Sequence, residues 1–328
     1  MMENKFRIFI TRKIHPEAIA RLEEIAEVET WPQAAPPPKE ILVQKAPKID
    51  GFLTMLTDPI DAEVIAAGSQ KLKVIAQMAV GYDNIDISAA TRSGIPVGHT
   101  PGVLTETTAD FTWALLLAAT RRLVEADQEV RSGLWQPWGP DILTGLDVYG
   151  KTLGIIGLGR IGKAVVRRAH GFDMHALYAD PTRDPEAEAN LGVEHVSLDD
   201  LLARADFISL HLNYTPKVRH LINRERFEQM KPTAVLINTA RGALVDPDAL
   251  TWALQTGRIA AAALDVFDPE PIPQDHPLLK LNNLVITPHI ASASKETRRK
   301  MALMTAENLI AGLQGNRLPY CANPEVYQ

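Results

Sequence analysis

The stretch "TLGIIGLGRIGKAVVRRAHG" (152–171) decides the fold. Its first part is apolar and β-branched, which predicts a strand. Its last part carries apolar residues at helical spacing, which predicts a helix. Between them stand Gly157, Gly159 and Gly162, with Leu158, Arg160 and Ile161 in the gaps. In a strand–turn–helix setting, the first glycine allows the tight turn. The second lets the backbone approach a pyrophosphate, and the third lets helix and strand pack closely. The N–H groups of the helix start then face phosphate charge, and Arg160 adds a charge-assisted contact. The spacing alone is weak; in this setting a dinucleotide is the expected ligand.

The next strand tests that expectation. "MHALYAD" (174–180) ends in Asp180, 18 residues after Gly162. A carboxylate there accepts hydrogen bonds from a ribose diol and repels a 2′-phosphate. NAD is therefore the expected cofactor. NADP stays the second candidate because Arg183 stands close by. The bland reading leaves Asp180 as a surface carboxylate.

Working outward, strand patterns follow at "DFISLHL" (206–212), "TAVLINTA" (233–240), "IAAAALDVF" (259–267) and "NLVITPH" (283–289). Others precede at "FRIFI" (6–10), "DGFLTML" (50–56), "LKVIAQM" (72–78) and "IPVGHT" (95–100). Helical patterns lie between them, around 15–26, 61–67 and 86–93 in the first half. One long helix is expected from about Glu106 to Arg131, then an aromatic loop, "GLWQPWGPDILTG" (133–145), and a last helix over about 294–314. This βαβ alternation predicts an α/β protein with two doubly wound parallel-sheet domains, Rossmann- and flavodoxin-like, and a cleft between them. The last helix is expected to return to the first domain. That gives 1–100 plus 290–328 as a discontinuous substrate domain and 101–289 as the dinucleotide domain.

Composition agrees with such a protein. The 328 residues are 46% hydrophobic and 23% charged, too many for one ordinary domain. A net charge of −6 argues against nucleic acid as a partner. The longest apolar run, "FTWALLLAAT" (111–120), is too short for a membrane span. "MMENKFRIFI" (1–10) lacks the marks of a secretory leader. The single cysteine, Cys321, suits a reducing, cytoplasmic setting. No metal-ligand spacing is present, so no metal is expected.

A dinucleotide site raises the prospect of hydride transfer, which needs a proton donor and a grip on the substrate. Arg241, Asp265, Glu270 and His289 all follow apolar strands. In a doubly wound sheet such positions gather at the ligand edge. Arginine grips a carboxylate with two prongs. Histidine delivers a proton, and a glutamate on its other nitrogen orients it. Singly, each has a bland alternative: an ion-pair arginine, a loop carboxylate, a strand-end histidine.

The segments "AVGYDNID" (79–86), "TPGVLTETTADFTWALLLAATRR" (100–122), "GLGRIG" (157–162), "NTARGALVD" (238–246), "LDVFDPEPIP" (264–273) and "LVITPHIASAS" (284–294) span most of the chain. Together they resemble the D-2-hydroxyacid dehydrogenase family, in its glyoxylate/hydroxypyruvate reductase branch. The resemblance implies a catalytic set of Arg241, Glu270 and His289. It implies that Val80 and Gly81 offer backbone N–H groups to a substrate carboxylate. It puts Asp265 near the nicotinamide carboxamide and makes the long helix a homodimer element. Thr239 and Ala240 join Gly157, Gly159, Arg160, Ile161, Gly162 and Asp180 as expected cofactor contacts. Trp138 is expected either to narrow a neighbouring subunit's substrate site or to pack a dimer interface with Trp135. His211 reads as structural. The stretch Ala179-Asp180-Pro181 departs from NADP-using members of the branch, which tend to carry a serine or arginine there.

The expected reaction is reduction of a small 2-oxo acid, glyoxylate or hydroxypyruvate, to the D-2-hydroxy acid. Reduction of another 2-oxo acid, such as 2-oxogluconate or a phosphoglycerate-type acid, is an alternative. An NAD-sensing scaffold that binds proteins is an alternative of another class.

Overall fold

The computed structural model describes residues 5–328; the leader reading falls partly on residues 1–4, which lie outside them. The chain divides into two compact units, one reaching to Leu104 and resuming at Ala293–Gln328, the other Thr105–Ser292. The chain passes between the units after Leu104 and again after Ser292, a few residues from the expected boundaries, and Thr105 opens a helix.

In the first unit, β1 (Phe6–Ile10), α1 (Pro16–Glu23), β2 (Ala26–Thr30), α2 (Lys39–Lys45), β3 (Gly51–Thr54), α3 (Ala62–Gly68), β4 (Val74–Gln77), α4 (Ile87–Arg92) and β5 (Val97–Gly98) succeed one another. The sheet is wholly parallel, in the order β2-β1-β3-β4-β5. Alternation along the strands sends Ile8, Ile10, Leu53, Val74 and Ala76 to one core. Phe9, Phe52, Ile75 and Val97 go to the other. Both faces are therefore covered, as a parallel sheet requires.

The second unit opens with α5 (Thr105–Thr120) and α6 (Leu123–Arg131). They replace the single helix expected over 106–131. The break has a local cause: Arg122 takes a left-handed conformation, φ 51°, and the Thr120 carbonyl accepts from Leu146 N–H at 2.8 Å. Then follow β6 (Thr152–Ile156), α7 (Arg160–Ala169), β7 (His175–Ala179), α8 (Pro185–Leu191), β8 (Val193–His195), α9 (Leu198–Arg204) and β9 (Phe207–Leu210). After them come α10 (Arg224–Gln229), β10 (Val235–Asn238), α11 (Pro247–Gln255), β11 (Ala261–Leu264) and β12 (Leu284–Ile286). The seven strands are parallel, in the order β12-β11-β10-β9-β6-β7-β8. The order reverses between β6 and β9, the switch point where such sheets open a crevice at their carboxyl edge.

The final helix, α12 (Lys295–Leu313), belongs to the first unit and packs on α1 and β4. Its buried Asn308 donates to the His99 carbonyl and accepts from Tyr320 N–H, both at 3.0 Å. No helix among the described residues is long and apolar enough to cross a membrane.

Candidate active site

Six residues of interest follow six strands of the second sheet and share its carboxyl edge: Gly157, Asp180, His211, Arg241, Asp265 and His289.

At the switch point Gly157 has φ 94°. A Cβ there would stand 2.9 Å from the His211 backbone, so only glycine fits between β6 and β9. Gly159 is the N-cap of α7 and brings no side-chain acceptor to the helix start. Nothing lies within 4 Å of where its Cβ would be. The first-turn N–H groups of Arg160, Ile161 and Gly162 have no hydrogen-bond partner among the described residues, and the positive end of the helix dipole lies behind them. Arg160 is exposed, while Ile161 packs on the core.

Asp180 is held from two sides. Leu158 N–H donates to one oxygen at 3.1 Å and Thr182 N–H to the other at 3.0 Å. Each oxygen keeps a lone pair for a diol. Arg183 turns instead to Glu188, with contacts of 2.7 and 2.8 Å. An uncapped helix start, an open second glycine and a fixed carboxylate fit a dinucleotide. The expected decoy, His211, bonds Ser209 through its Nε2 at 2.8 Å, and burial pushes its imidazole down to about 3.

The loop after β10 is built by Asn238, which is fully buried. Its side chain donates to the Arg241 carbonyl at 2.8 Å and accepts from Ala240 N–H at 3.0 Å. The Thr239 hydroxyl lies 3.0 Å from that of Thr112 on α5. Gly242 rests directly on the Phe267 backbone; a Cβ would come within 1.9 Å of it. That contact ties the Arg241 loop to the loop carrying Glu270.

Glu270 spans the remaining gap. One oxygen accepts from Phe267 N–H at 2.8 Å, and the other lies 2.8 Å from His289 Nδ1. Burial pushes its carboxyl up, but His289, the Phe267 N–H and the Arg241 charge outweigh this and leave it below its ordinary value. The carboxylate form is thus the one at neutral pH.

His289 has φ 55°, a left-handed conformation that costs a non-glycine residue on the order of 1–3 kcal/mol. Asp265 supplies what holds it. The Asp265 carbonyl accepts His289 N–H at 2.9 Å. Its carboxylate accepts the Thr287 hydroxyl at 2.6 Å, Ile290 N–H at 2.8 Å and Ala291 N–H at 2.7 Å. Asp265 is fully buried, and its carboxylate holds the His289 loop through these bonds.

Residues 113–291 match the family model described as D-isomer specific 2-hydroxyacid dehydrogenase, NAD binding domain. A glyoxylate reductase from Korarchaeum cryptofilum is 54% identical over 323 residues, 98% of this chain and 97% of that relative. The chain belongs to the D-isomer specific 2-hydroxyacid dehydrogenase family. A crystal structure of a Thermus thermophilus protein matches with a TM-score of 0.91 at 48% identity, covering 96% of this chain and 99% of that one. The NADPH-dependent glyoxylate/hydroxypyruvate reductase of Sinorhizobium meliloti, solved with NADP and malonate, matches at 0.85 and 33% identity, with 98% of each chain covered.

Seen within this dehydrogenase family, the second unit brings Arg241, Glu270 and His289 onto one sheet edge. Trp138 is left 87% exposed on the loop after α6, beside Trp135 at 71%. Val80 and Gly81 lie in the first unit, in the loop after β4. Sequence reasoning did not single out Asn238, Thr112 or Thr287. Asn238 and Thr287 each end or follow an apolar strand shortly before a site residue, which is the signal that marks them.

Proposed function

We propose that this dehydrogenase reduces glyoxylate or hydroxypyruvate to the 2-hydroxy acid, with NADH preferred over NADPH. The observation that carries the reading is the 2.8 Å His289–Glu270 hydrogen bond at the sheet edge that also bears Arg241. When bound, the reduced nicotinamide supplies the hydride for the carbonyl carbon. His289 holds the proton for the carbonyl oxygen at Nε2, because Nδ1 is engaged by Glu270. Glu270, ionised, accepts at Nδ1 and fixes the orientation of the ring. Arg241 grips the carboxylate and polarises the adjacent carbonyl. In the first unit, the Val80–Gly81 loop offers N–H groups suited to a carboxylate. Asp265 positions His289 through the loop it holds.

The first unit is read as the substrate domain and the second as the dinucleotide domain, with Thr239 and Ala240 lining the cofactor. The name glyoxylate reductase, borne by a relative 54% identical, supports a small 2-oxo acid. The preference for NADH rests on Asp180 and on Arg183 being engaged by Glu188. The exposed face of α6 and the loop after it, Trp138 included, is assigned to a homodimer interface.

The test is oxidation of NADH and of NADPH with glyoxylate, hydroxypyruvate, pyruvate and 2-oxogluconate, beside a His289→Ala control. Turnover of the two small acids with NADH, lowered about 10²–10⁴-fold in the control, is the expected result. NADH binding without turnover of any acid would overturn the reading and favour a scaffold.

A further inference from the structure

We propose that His99, assisted by Gln77, is a positioning residue that aims the N–H groups of the Val80–Tyr82 loop at the substrate carboxylate. This rests on the reading above that the loop receives that carboxylate.

Three consecutive carbonyls of the loop are held by groups at the carboxyl ends of β4 and β5. The Ala79 carbonyl accepts Thr100 N–H at 2.8 Å. The Val80 carbonyl lies 2.9 Å from His99 Nδ1. The Gly81 carbonyl accepts from Gln77 Nε2 at 3.4 Å, the longest of the three. The peptides here are trans, so each carbonyl points opposite to the N–H of the same peptide plane. Fixing the carbonyls of Ala79, Val80 and Gly81 therefore turns the N–H groups of Val80, Gly81 and Tyr82 away from these holders. None of the three N–H groups has a partner among the described residues. Successive free N–H groups form a concavity suited to a carboxylate.

The two side chains have defined orientations. A carbonyl only accepts, so His99 carries its proton on Nδ1. The His99 backbone is anchored at both ends: its N–H donates to Tyr320 at 3.1 Å and its carbonyl accepts from Asn308 at 3.0 Å. Its ring meets the edge of Tyr82, centroids 5.4 Å apart. Gln77, fully buried, is fixed by a relay. Asn84 spends its amide N–H groups on the Met55 and Asp58 carbonyls, so its oxygen must accept from Gln77 Nε2, at 2.7 Å. Gln77 Oε1 in turn accepts from the Thr54 hydroxyl at 2.7 Å. Loss of the His99 donor frees the Val80–Gly81 peptide to rotate, while the reacting groups of the second unit are untouched.

The experiment compares His99→Leu, which has no donor, with His99→Asn, whose amide nitrogen falls where Nδ1 stood. Steady-state constants are measured with glyoxylate and with its uncharged methyl ester. Calorimetry measures oxamate binding to the NADH-loaded protein, and melting temperatures are recorded. For His99→Leu the expected result is an increase of about tenfold in glyoxylate KM and oxamate Kd, with the ester KM unchanged and kcat within about twofold. His99→Asn should restore most of the loss. If His99→Leu does not fold, His99→Gln, which carries its amide to the Nε2 position, takes its place with the same expectation. Acid and ester constants moving together, or neither moving, would overturn the proposal. Wild-type protein that binds oxamate in a His99-dependent way without reducing glyoxylate would sink the functional reading and leave the cradle standing. Wild-type protein that does not bind oxamate would overturn the cradle.

Discussion

Glu270 keeps its charge although burial opposes it, because His289, the Phe267 N–H and Arg241 together outweigh that burial. The sign of its contribution follows. A carboxyl depressed in the folded state stabilises the protein fully above its unfolded value and loses that contribution as pH falls through its folded value. In Glu270→Gln the stability deficit, read by denaturant unfolding, should be about 1 kcal/mol near neutral pH. It should close only below the ordinary carboxyl value of 4.5. A deficit that grows in acid would contradict this account of the pair. His289 shows the companion feature at the same scale. Its backbone sits in a costly conformation, held by the Asp265 carbonyl and by the three bonds the Asp265 carboxylate makes to the same loop.

The turn between β6 and α7 separates two demands that the glycine spacing merges. Gly157 serves the fold, since its φ of 94° and the 2.9 Å approach of His211 leave no room for a methyl group. Gly159 has φ −75° and open space beyond it, so the folded chain tolerates a methyl group there. Gly157→Ala should lower stability by roughly 1–3 kcal/mol. Gly159→Ala should leave the melting temperature unchanged and weaken NADH binding about tenfold or more, because the methyl group occupies the pyrophosphate's path. Melting curves and NADH fluorescence titrations of both variants decide this; equal behaviour of the two would refute it.

Across the whole molecule, the large exposed apolar side chains concentrate in one region. Leu123, Val130, Leu134, Trp135, Trp138 and Tyr149 are each more than half exposed, and all lie on α6 or in the segment that leads to β6. An apolar patch of this kind marks an interaction surface, and a second copy of the chain is the proposed occupant. Light scattering should give a dimer. Replacing both tryptophans by lysine should raise the dissociation constant about thirtyfold or more, as expected for buried aromatic anchors. A monomeric wild-type protein would contradict it.

What the sequence determined by itself was local. The strand–turn–helix around Gly157, the acid at the next strand end, and an arginine, a glutamate and a histidine behind later strands are all read from short spacing and alternation. The family resemblance rests on the same stretches. Short elements escaped: β2, where Glu27 and Glu29 alternate outward, and α2, α8 and β8, each of seven residues or fewer. The break at Arg122 escaped too, since a single left-handed residue leaves no mark on helical periodicity. Only tertiary structure turned Asp265 toward the His289 loop and set the His99 ring on the Val80 carbonyl. Those bonds join residues brought together by sheet register, and register is decided by packing across strands rather than by neighbours along the chain.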